Sequence, residues 1–240
     1  MASSPGVAPF AGFPPEAIQF LRGLAANNHK TWFEANRATY LAAVQRPAVA
    51  LVAALGEPLQ QRFPEIRYDT RANGAGSLMR IYRDTRFSAD KSPYKTNIAM
   101  MFSSGQEGKM SSPGFGLQVT PERVELIAGV FGFTPPALSA YRAAVLDDLL
   151  GGELDRAAAA VRAAGGYTIS GVGYKRVPAG LPADHPRAAW LLHKGLHVFA
   201  PSISLEVAQT PALVEAALAA FVAMAPIEQW LARALAELPM

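Results

Sequence analysis

The stretch FGLQVTPERVELIAGV, residues 115–130, decides the fold class of this 240-residue chain. Two short apolar runs, 115–119 and 124–130, flank the tetrapeptide Thr-Pro-Glu-Arg, which is the pattern of a β-hairpin with a four-residue connection. Because a hairpin joins neighbouring strands of an antiparallel sheet, the middle of the chain is predicted to form such a sheet.

Two more strands are predicted upstream of the hairpin. Residues 96–102 form an apolar run, and residues 77–87 alternate between apolar and polar side chains, which is the periodicity of a half-buried strand. The predicted inner face of 77–87 carries Met79, Ile81 and Phe87. By composition, residues 88–93 form a loop and residues 103–114 form a Gly/Ser-rich turn.

The sequence before residue 64 has helical patterns. A first helix is predicted from Pro14-Pro15 to Asn27-Asn28, because Pro favours a helix start and Asn a helix end. The capping-box spacing of Thr31 and Glu34 predicts a second helix that ends at Pro47. A third helix is predicted over 47–63, with Gly56 and Pro58 causing a kink or a split.

The sequence after residue 134 is mostly helical as well. The predicted helices are 135–149, an Ala-rich helix between Gly151-Gly152 and Gly165-Gly166, a helical stretch at 187–194, and closing helices at 210–224 and 227–238. Two short strands are predicted between them, at 167–170 and 195–200, and a Gly/Pro-rich segment follows the first strand and runs to Pro186. The order helices, strands, helices predicts a single α+β domain. It covers residues 13–240 and has a central antiparallel sheet flanked by N-terminal and C-terminal helices, after a flexible leader at 1–12.

Composition limits the classes of function. Half of the residues are hydrophobic, which allows a sizeable core, and the absence of cysteine excludes disulfides and a thiolate nucleophile. The 22 cationic and 19 anionic side chains nearly balance, which argues against nucleic acid as a partner. No run of roughly 18 apolar residues is present, so no membrane contact is expected and a cytoplasmic location is predicted.

Charge is concentrated in one string, RIYRDTRFSADKSPYK at 80–95. Seven charges fall in these sixteen residues, although only 17% of the whole chain is charged. Arginine forks and lysine ammonium groups suit phosphate and carboxylate, so the string predicts a site for an anionic small molecule. The candidate ligand-binding residues are Arg80, Tyr82, Arg83, Arg86, Ser88, Lys91 and Lys95.

Catalysis at this site is left open. If the protein is an enzyme, the string supplies Asp84, Asp90 or Tyr94 for proton transfer. Two alternatives compete with a ligand site: an internal clasp in which the charges pair with one another under no cleft, and a weak nucleic-acid-binding module in which the tyrosines stack on bases.

The remaining motifs point to structure. Residues 27–33, Asn-Asn-His-Lys-Thr-Trp-Phe, fit helix caps above core aromatics better than a pocket wall. His193 and His197 lie four residues apart, but no third ligand accompanies them, so no metal site is predicted. No phosphate-binding or dinucleotide-binding glycine motif occurs, and no cofactor is predicted.

Three of these segments together resemble one family. NNHKTWFEANRATY at 27–40, RIYRDTRFSADKSPYKTN at 80–97 and KRVPAGLPADHP at 175–186 are similar to a widespread microbial family catalogued as a conserved hypothetical protein, domain-of-unknown-function family 2461. The resemblance runs from about Phe13 to the last helix, so it implies that nearly the whole chain is one family domain. It implies no activity, cofactor or catalytic residue.

Overall fold

A computed structural model describes residues 7–104 and 111–236. The first half of the predicted leader (1–6) and the centre of the predicted turn (105–110) therefore lie outside the described residues. The α-helices are α1 Pro15–Ala26, α2 Lys30–Ala35, α3 Arg37–Thr39, α4 Arg46–Arg62, α5 Pro135–Leu146, α6 Asp148–Ala163, α7 Leu205–Ala208 and α8 Ala212–Ala234. The strands are β1 Ile98–Ser103, β2 Gly114–Val119, β3 Val124–Val130, β4 Thr168–Val172 and β5 His193–Phe199. A π-helical segment, Tyr40–Gln45, and a 3-10 helix, Ala188–Leu192, complete the elements.

The predicted α+β class is confirmed. The five strands form one antiparallel sheet in the order β1-β2-β3-β5-β4, with helices before it and a long helix after it. The hairpin of β2 and β3 lies where the sequence places it, with residues 120–123 as its connection. Strand β5 lies between β3 of the hairpin and the edge strand β4, and it pairs antiparallel with both.

The N-terminal helices differ from the prediction in their boundaries. Helix α1 starts and ends as predicted, with Pro15 in its first turn and the Asn27 side chain donating to the Gly23 carbonyl at its end. His29, and not Thr31, caps α2, because its Nδ1 accepts the Trp32 N–H. The predicted break at Pro47 is wrong. The π-helical segment ends at Gln45 and α4 begins directly at Arg46, so Pro47 lies in the first turn of α4, where a missing N–H is tolerated.

Two further predicted breaks, at Gly151-Gly152 and between 224 and 227, are wrong, and of the kink or split predicted at Gly56 and Pro58 the split does not occur. Helix α4 continues through Pro58, and α8 is one helix that continues through Pro226. The break between α5 and α6 lies at Asp147, whose carboxylate caps the Leu150 N–H, whereas Gly151 and Gly152 are inside α6. Buried side chains flank each continuous stretch, among them Leu55 and Leu59 in α4.

The predicted strand at 77–87 does not form. Isolated bridges join Leu78 to Met100 and Tyr82 to Tyr94. From the first bridge to the second, one segment advances by four residues (82 − 78) and the other by six (100 − 94), so the register shifts by two and the ladder is interrupted. Phe87, predicted to face inward, is 95% exposed, because the chain has already left the pairing after residue 83.

The described residues fall into two compact units. The first contains residues 7–102, 116–125 and 202–218, and the second contains 103–104, 111–115, 126–201 and 219–236. In the first unit α1 supplies buried Ile18, Leu21 and Leu24. In the second, the Phe221 ring of α8 lies 5.1 Å from Phe115 of β2, and the Trp230 indole donates to the Leu150 carbonyl.

Among residues 7–104 and 111–236, two helical stretches, 37–62 and 212–234, are long and apolar enough to cross a bilayer by length and composition alone. This is weak evidence, because a core helix of a globular protein passes the same test. Both stretches carry fully buried residues, such as Leu51 and Phe221.

Candidate functional site

The charged string forms a short antiparallel pairing followed by a loop. Arg83 N–H donates to the Pro93 carbonyl at 2.9 Å, and Lys95 N–H donates to the Ile81 carbonyl at 2.7 Å. These two bonds flank Tyr82 and Tyr94, which therefore form a non-hydrogen-bonded pair, the geometry in which facing side chains approach most closely. Their ring centroids lie 5.4 Å apart. Tyr82 is half exposed, whereas Tyr94 is buried and stacks on Phe33 of α2 at 4.3 Å.

Asn28 fastens the string to the N-terminal helices. Its side-chain amide donates to the Tyr94 carbonyl at 2.9 Å, and its Oδ1 accepts the Tyr94 N–H at 3.1 Å. A single side chain thus satisfies both backbone groups of a buried residue. The sequence predicted Asn28 to be a helix cap, so its role in holding the string is a finding of the structure.

Arg83 and Asp90 close the loop that leaves the pairing. The Arg83 guanidinium forms an ion pair with Asp90 and also donates to the Ser92 carbonyl at 3.2 Å and to the Ser88 hydroxyl at 3.4 Å. Asp90 in turn accepts the Ser92 N–H at 2.9 Å and its hydroxyl at 2.6 Å. These bonds tie the two ends of the loop together.

The other charges in the loop are also satisfied locally but point to solvent. Arg86 binds Asp84 through Nε and Nη2, with the shortest bond at 2.7 Å, and the Arg86 side chain is 77% exposed. The Lys91 ammonium donates to the Thr85 carbonyl at 2.9 Å. Both members of the Arg86–Asp84 pair are exposed, whereas Arg83 of the Arg83–Asp90 pair is partly buried.

The candidate proton-transfer residues have pKa values displaced away from neutrality. Hydrogen bonds from Arg86 lower the pKa of Asp84 to about 2, and hydrogen bonds from Ser92 and Arg83 lower the pKa of Asp90 to about 2. Burial raises the pKa of the Tyr94 hydroxyl. An efficient general acid or base has a pKa near the working pH, and these shifts move the three pKa values away from it.

An open groove of about 650 Å³ lies beside the string, within the first unit. One wall is formed by Ala25 at the end of α1 and by Asn28, a second wall is the string, and a third is the hairpin connection. The Arg22 guanidinium of α1 donates to the Pro121 carbonyl at 3.1 Å and so holds the first and third walls together. The lining residues are Ala25, Asn28, Arg83, Asp90, Ser92, Tyr94, Lys95, Thr96, Asn97, Gln118, Thr120, Pro121 and Glu122.

The side chain of Lys95 differs from that of Arg83, the other cation lining the groove, in having no hydrogen bond or ion pair within the described residues. Its ammonium has no hydrogen-bond or ion-pair partner among residues 7–104 and 111–236, whereas the other lining cation, Arg83, is paired with Asp90. Partial burial lowers the pKa of Lys95, and the positive charge of nearby Arg80 adds to this effect. A positive charge that is partly desolvated and unpaired is the strongest anion-attracting feature of this groove.

The third wall carries a chain of hydrogen bonds that the sequence did not reveal. Asn97 donates to Gln118 at 2.5 Å, Gln118 donates to Glu125, and Arg123 donates to Glu125 at 2.8 Å. The signal available was Gln118, the one polar residue within the apolar run 115–119. Its position at a groove depends on tertiary contacts, which a single strand pattern does not contain.

The structure divides the predicted site residues into two groups. Those that line the groove are Arg83, Asp90, Tyr94 and Lys95. Those that do not line it are Arg80, Tyr82, Asp84, Arg86, Ser88 and Lys91. Arg80 nevertheless lies close enough to act electrostatically on both Lys95 and Asp84.

The two histidines of β5 lie outside this groove. His193 and His197 are both buried, and burial lowers the pKa of each. Within the part of the chain that the structure describes, no three His, Asp or Glu side chains form a group suited to a metal ion.

A family profile described as a conserved hypothetical protein, domain-of-unknown-function family 2461, matches residues 16–230. The chain belongs to this family. The match includes α1 from Glu16 onward, the charged string and the hairpin connection, so all three walls of the groove lie inside the family domain. A search of curated proteins finds no match.

Proposed function

We propose that the groove between α1, the charged string and the hairpin connection binds an anionic small molecule, carboxylated or phosphorylated, through the Lys95 ammonium. The observation that carries this proposal is the unpaired, partly buried positive charge of Lys95 in an open groove. A volume of about 650 Å³ falls in the usual range for ligand pockets, roughly 300–1,000 Å³.

The rest of the lining favours a polar ligand body. Side-chain amides come from Asn28, Asn97 and Gln118, and hydroxyls from Ser92, Thr96 and Thr120. Such groups both donate and accept hydrogen bonds, which suits a ligand with several hydroxyls. Asp90 and Glu122 also line the groove and formally balance its two cations, Arg83 and Lys95. Because Arg83 is already paired with Asp90, the ligand's anionic group belongs at Lys95 and its hydroxyls near the third wall.

The hydrogen bonds and ion pairs within the loop are compatible with ligand binding in the groove. Arg83, Asp90 and Ser92 hold the loop in one shape, which reduces the entropy cost of binding at its rim. The alternative of a purely internal clasp requires buried pairs without a cleft, whereas the Arg86–Asp84 pair is exposed and a groove is present.

Isothermal titration with inorganic phosphate, a sugar phosphate and a hydroxy acid tests the proposal. We expect at least one of these anions to bind, and Lys95→Met to weaken that binding by about tenfold or more, because a hydrogen bond to a charged group contributes roughly 1.5–3 kcal/mol. Lys91→Met is the matched control, since it removes the same charge from the same string outside the groove.

Two results would count against the groove. If none of the anions binds, or if Lys91→Met and Lys95→Met weaken binding equally, the ligand site is not at Lys95. Titration with a single-stranded oligonucleotide separates the nucleic-acid alternative, which predicts an affinity that falls steeply with salt.

A further inference from the structure

A second cleft, of about 480 Å³, lies in the second unit beside α5. Its lining is mostly apolar and consists of Pro135, Leu138, Ser139, Arg142, Ala143, Leu146 and Leu181. One charged group, the Arg142 guanidinium, thus lies among hydrocarbon side chains and a single hydroxyl. The composition differs from that of the Lys95 groove, where amides and hydroxyls dominate.

The Arg142 guanidinium is left without hydrogen bonds. Its Nε and Nη2 atoms are buried and have no partner among the described residues. These two nitrogens form the fork that binds a carboxylate with two parallel hydrogen bonds, as Arg86 does with Asp84 in this same chain. A buried donor without an acceptor is destabilising, and a buried guanidinium fork more so, because water cannot replace the missing partner.

A second cation adds to the positive charge near this cleft. The Arg142 guanidinium carbon lies 5.4 Å from the centroid of the Tyr174 ring, and the Lys194 ammonium lies 4.5 Å from the same ring. The ring therefore contacts two positive charges at once. No carboxylate within the described ranges forms an ion pair with either cation.

We propose that this cleft binds a small amphipathic carboxylate, with the carboxylate on the Arg142 fork and a hydrocarbon chain against Leu138, Leu146 and Leu181. The planar fork matches a carboxylate, and the leucines match a chain that has no polar groups. Because the Nε and Nη2 atoms are closed off from water, binding of the carboxylate requires a local rearrangement of side chains at the cleft. This site is separate from the Lys95 groove and does not depend on the function proposed for that groove.

Binding of straight-chain carboxylates to the full-length protein tests the site. We expect hexanoate and octanoate to shift the backbone NMR signals of residues 135–146 and 181, with octanoate binding more tightly because it buries more apolar surface. Octanol and octyltrimethylammonium have the same chain without the carboxylate and are expected to bind at least tenfold more weakly. Octanol binding as tightly as octanoate, or no carboxylate binding at millimolar concentration, would overturn the proposal.

Substitution of Arg142 supplies an independent readout. Arg142→Met is expected to weaken octanoate binding by tenfold or more while leaving the midpoint of thermal unfolding unchanged or higher, because it removes an unsatisfied buried charge. A purely structural arginine would instead lower that midpoint when replaced. Arg156→Met, on the exposed side of α6, is the control and keeps octanoate binding. A sharp fall in the midpoint of Arg142→Met, or octanoate binding as tight as in the wild type, would contradict a ligand role.

Discussion

Pairing and position together distinguish Lys95 from the other cations of the string. Arg83, Arg86 and Lys91 have acceptors inside the loop, whereas the side chains of Arg80 and Lys95 have none among the described residues, and of these two only Lys95 lines the groove. Residue type alone does not make this distinction, because the five cations of the string look alike in the sequence. The difference arises from where the pairing of Tyr82 with Tyr94 ends and the loop begins.

Asn28 is expected to be the most important polar side chain for holding the string. Asn28→Ala leaves the N–H and carbonyl of buried Tyr94 without partners, which costs roughly 1–3 kcal/mol. Urea unfolding measures this loss. Asn36→Ala, which removes one bond to the Trp32 carbonyl within its own helix, is the control with a smaller effect. Equal stability of Asn28→Ala and the wild type would show that these bonds do not hold the segment.

The carboxylates of the loop make stability depend on pH at the acidic end. Asp90 has a folded-state pKa of about 2, below its ordinary value of 3.8, so its contribution is complete above about pH 4 and is lost as the pH falls toward 2. Thermal unfolding between pH 4 and pH 2 is therefore expected to depend less on pH in Asp90→Asn than in the wild type. Asp184→Asn, an exposed carboxyl without an ion-pair partner within the described ranges, is the control. An unchanged slope in Asp90→Asn would contradict the pKa shift.

At the scale of elements, packing decides where helices begin and end. Residues 135–163 show this clearly, because the glycines at 151 and 152 predicted a break that occurs instead at Asp147. Gly151 is buried in α6, and a Cβ atom there would lie only 2.3 Å from the Arg187 Nε. The glycine is thus explained by a close neighbour and not by a helix end.

Two glycines inside helices are expected to respond in opposite directions to alanine. A Cβ on Gly56 of α4 would lie 2.2 Å from the Tyr68 ring, so Gly56→Ala is expected to cost about 1–3 kcal/mol despite the helix preference of alanine. The nearest atom to a Cβ on Gly152 of α6 is 3.6 Å away, and Gly152→Ala is expected to gain about 0.5–1 kcal/mol. Urea unfolding of both variants checks the signs; stabilisation by Gly56→Ala would contradict the close approach of Tyr68.

At the scale of the whole molecule, the two units share elements of secondary structure. Strands β1, β2 and β3 and helix α8 each contribute residues to both units. Each unit is therefore made of several chain segments and contains only part of these four elements. The sequence-based prediction of one domain over 13–240 can be tested through this property.

We expect one cooperative unfolding transition, because melting either unit removes part of a strand or helix that the other requires. Differential scanning calorimetry measures this, and the calorimetric and van't Hoff enthalpies should agree. Two separate transitions, or a calorimetric enthalpy well above the van't Hoff value, would show that the units unfold independently and would contradict the single-domain prediction.

The sequence by itself determined the α+β class, the hairpin at 115–130 and the location of the charged string. These features depend on local periodicity and on turn residues, which act over a few positions and are visible without contacts. Local patterns were misleading at Pro47, which lies in the first turn of α4, and at Pro226, where burial of neighbouring apolar side chains keeps α8 continuous.

Only the tertiary structure decided which residues meet at the candidate sites. The Lys95 groove combines Asn28, the string and Gln118, which lie far apart in sequence, and the second cleft combines α5 with Leu181. Whether a cation is paired depends on its neighbours in space. Arg83 has Asp90, whereas Lys95 and the buried fork of Arg142 have no such partner within the described residues.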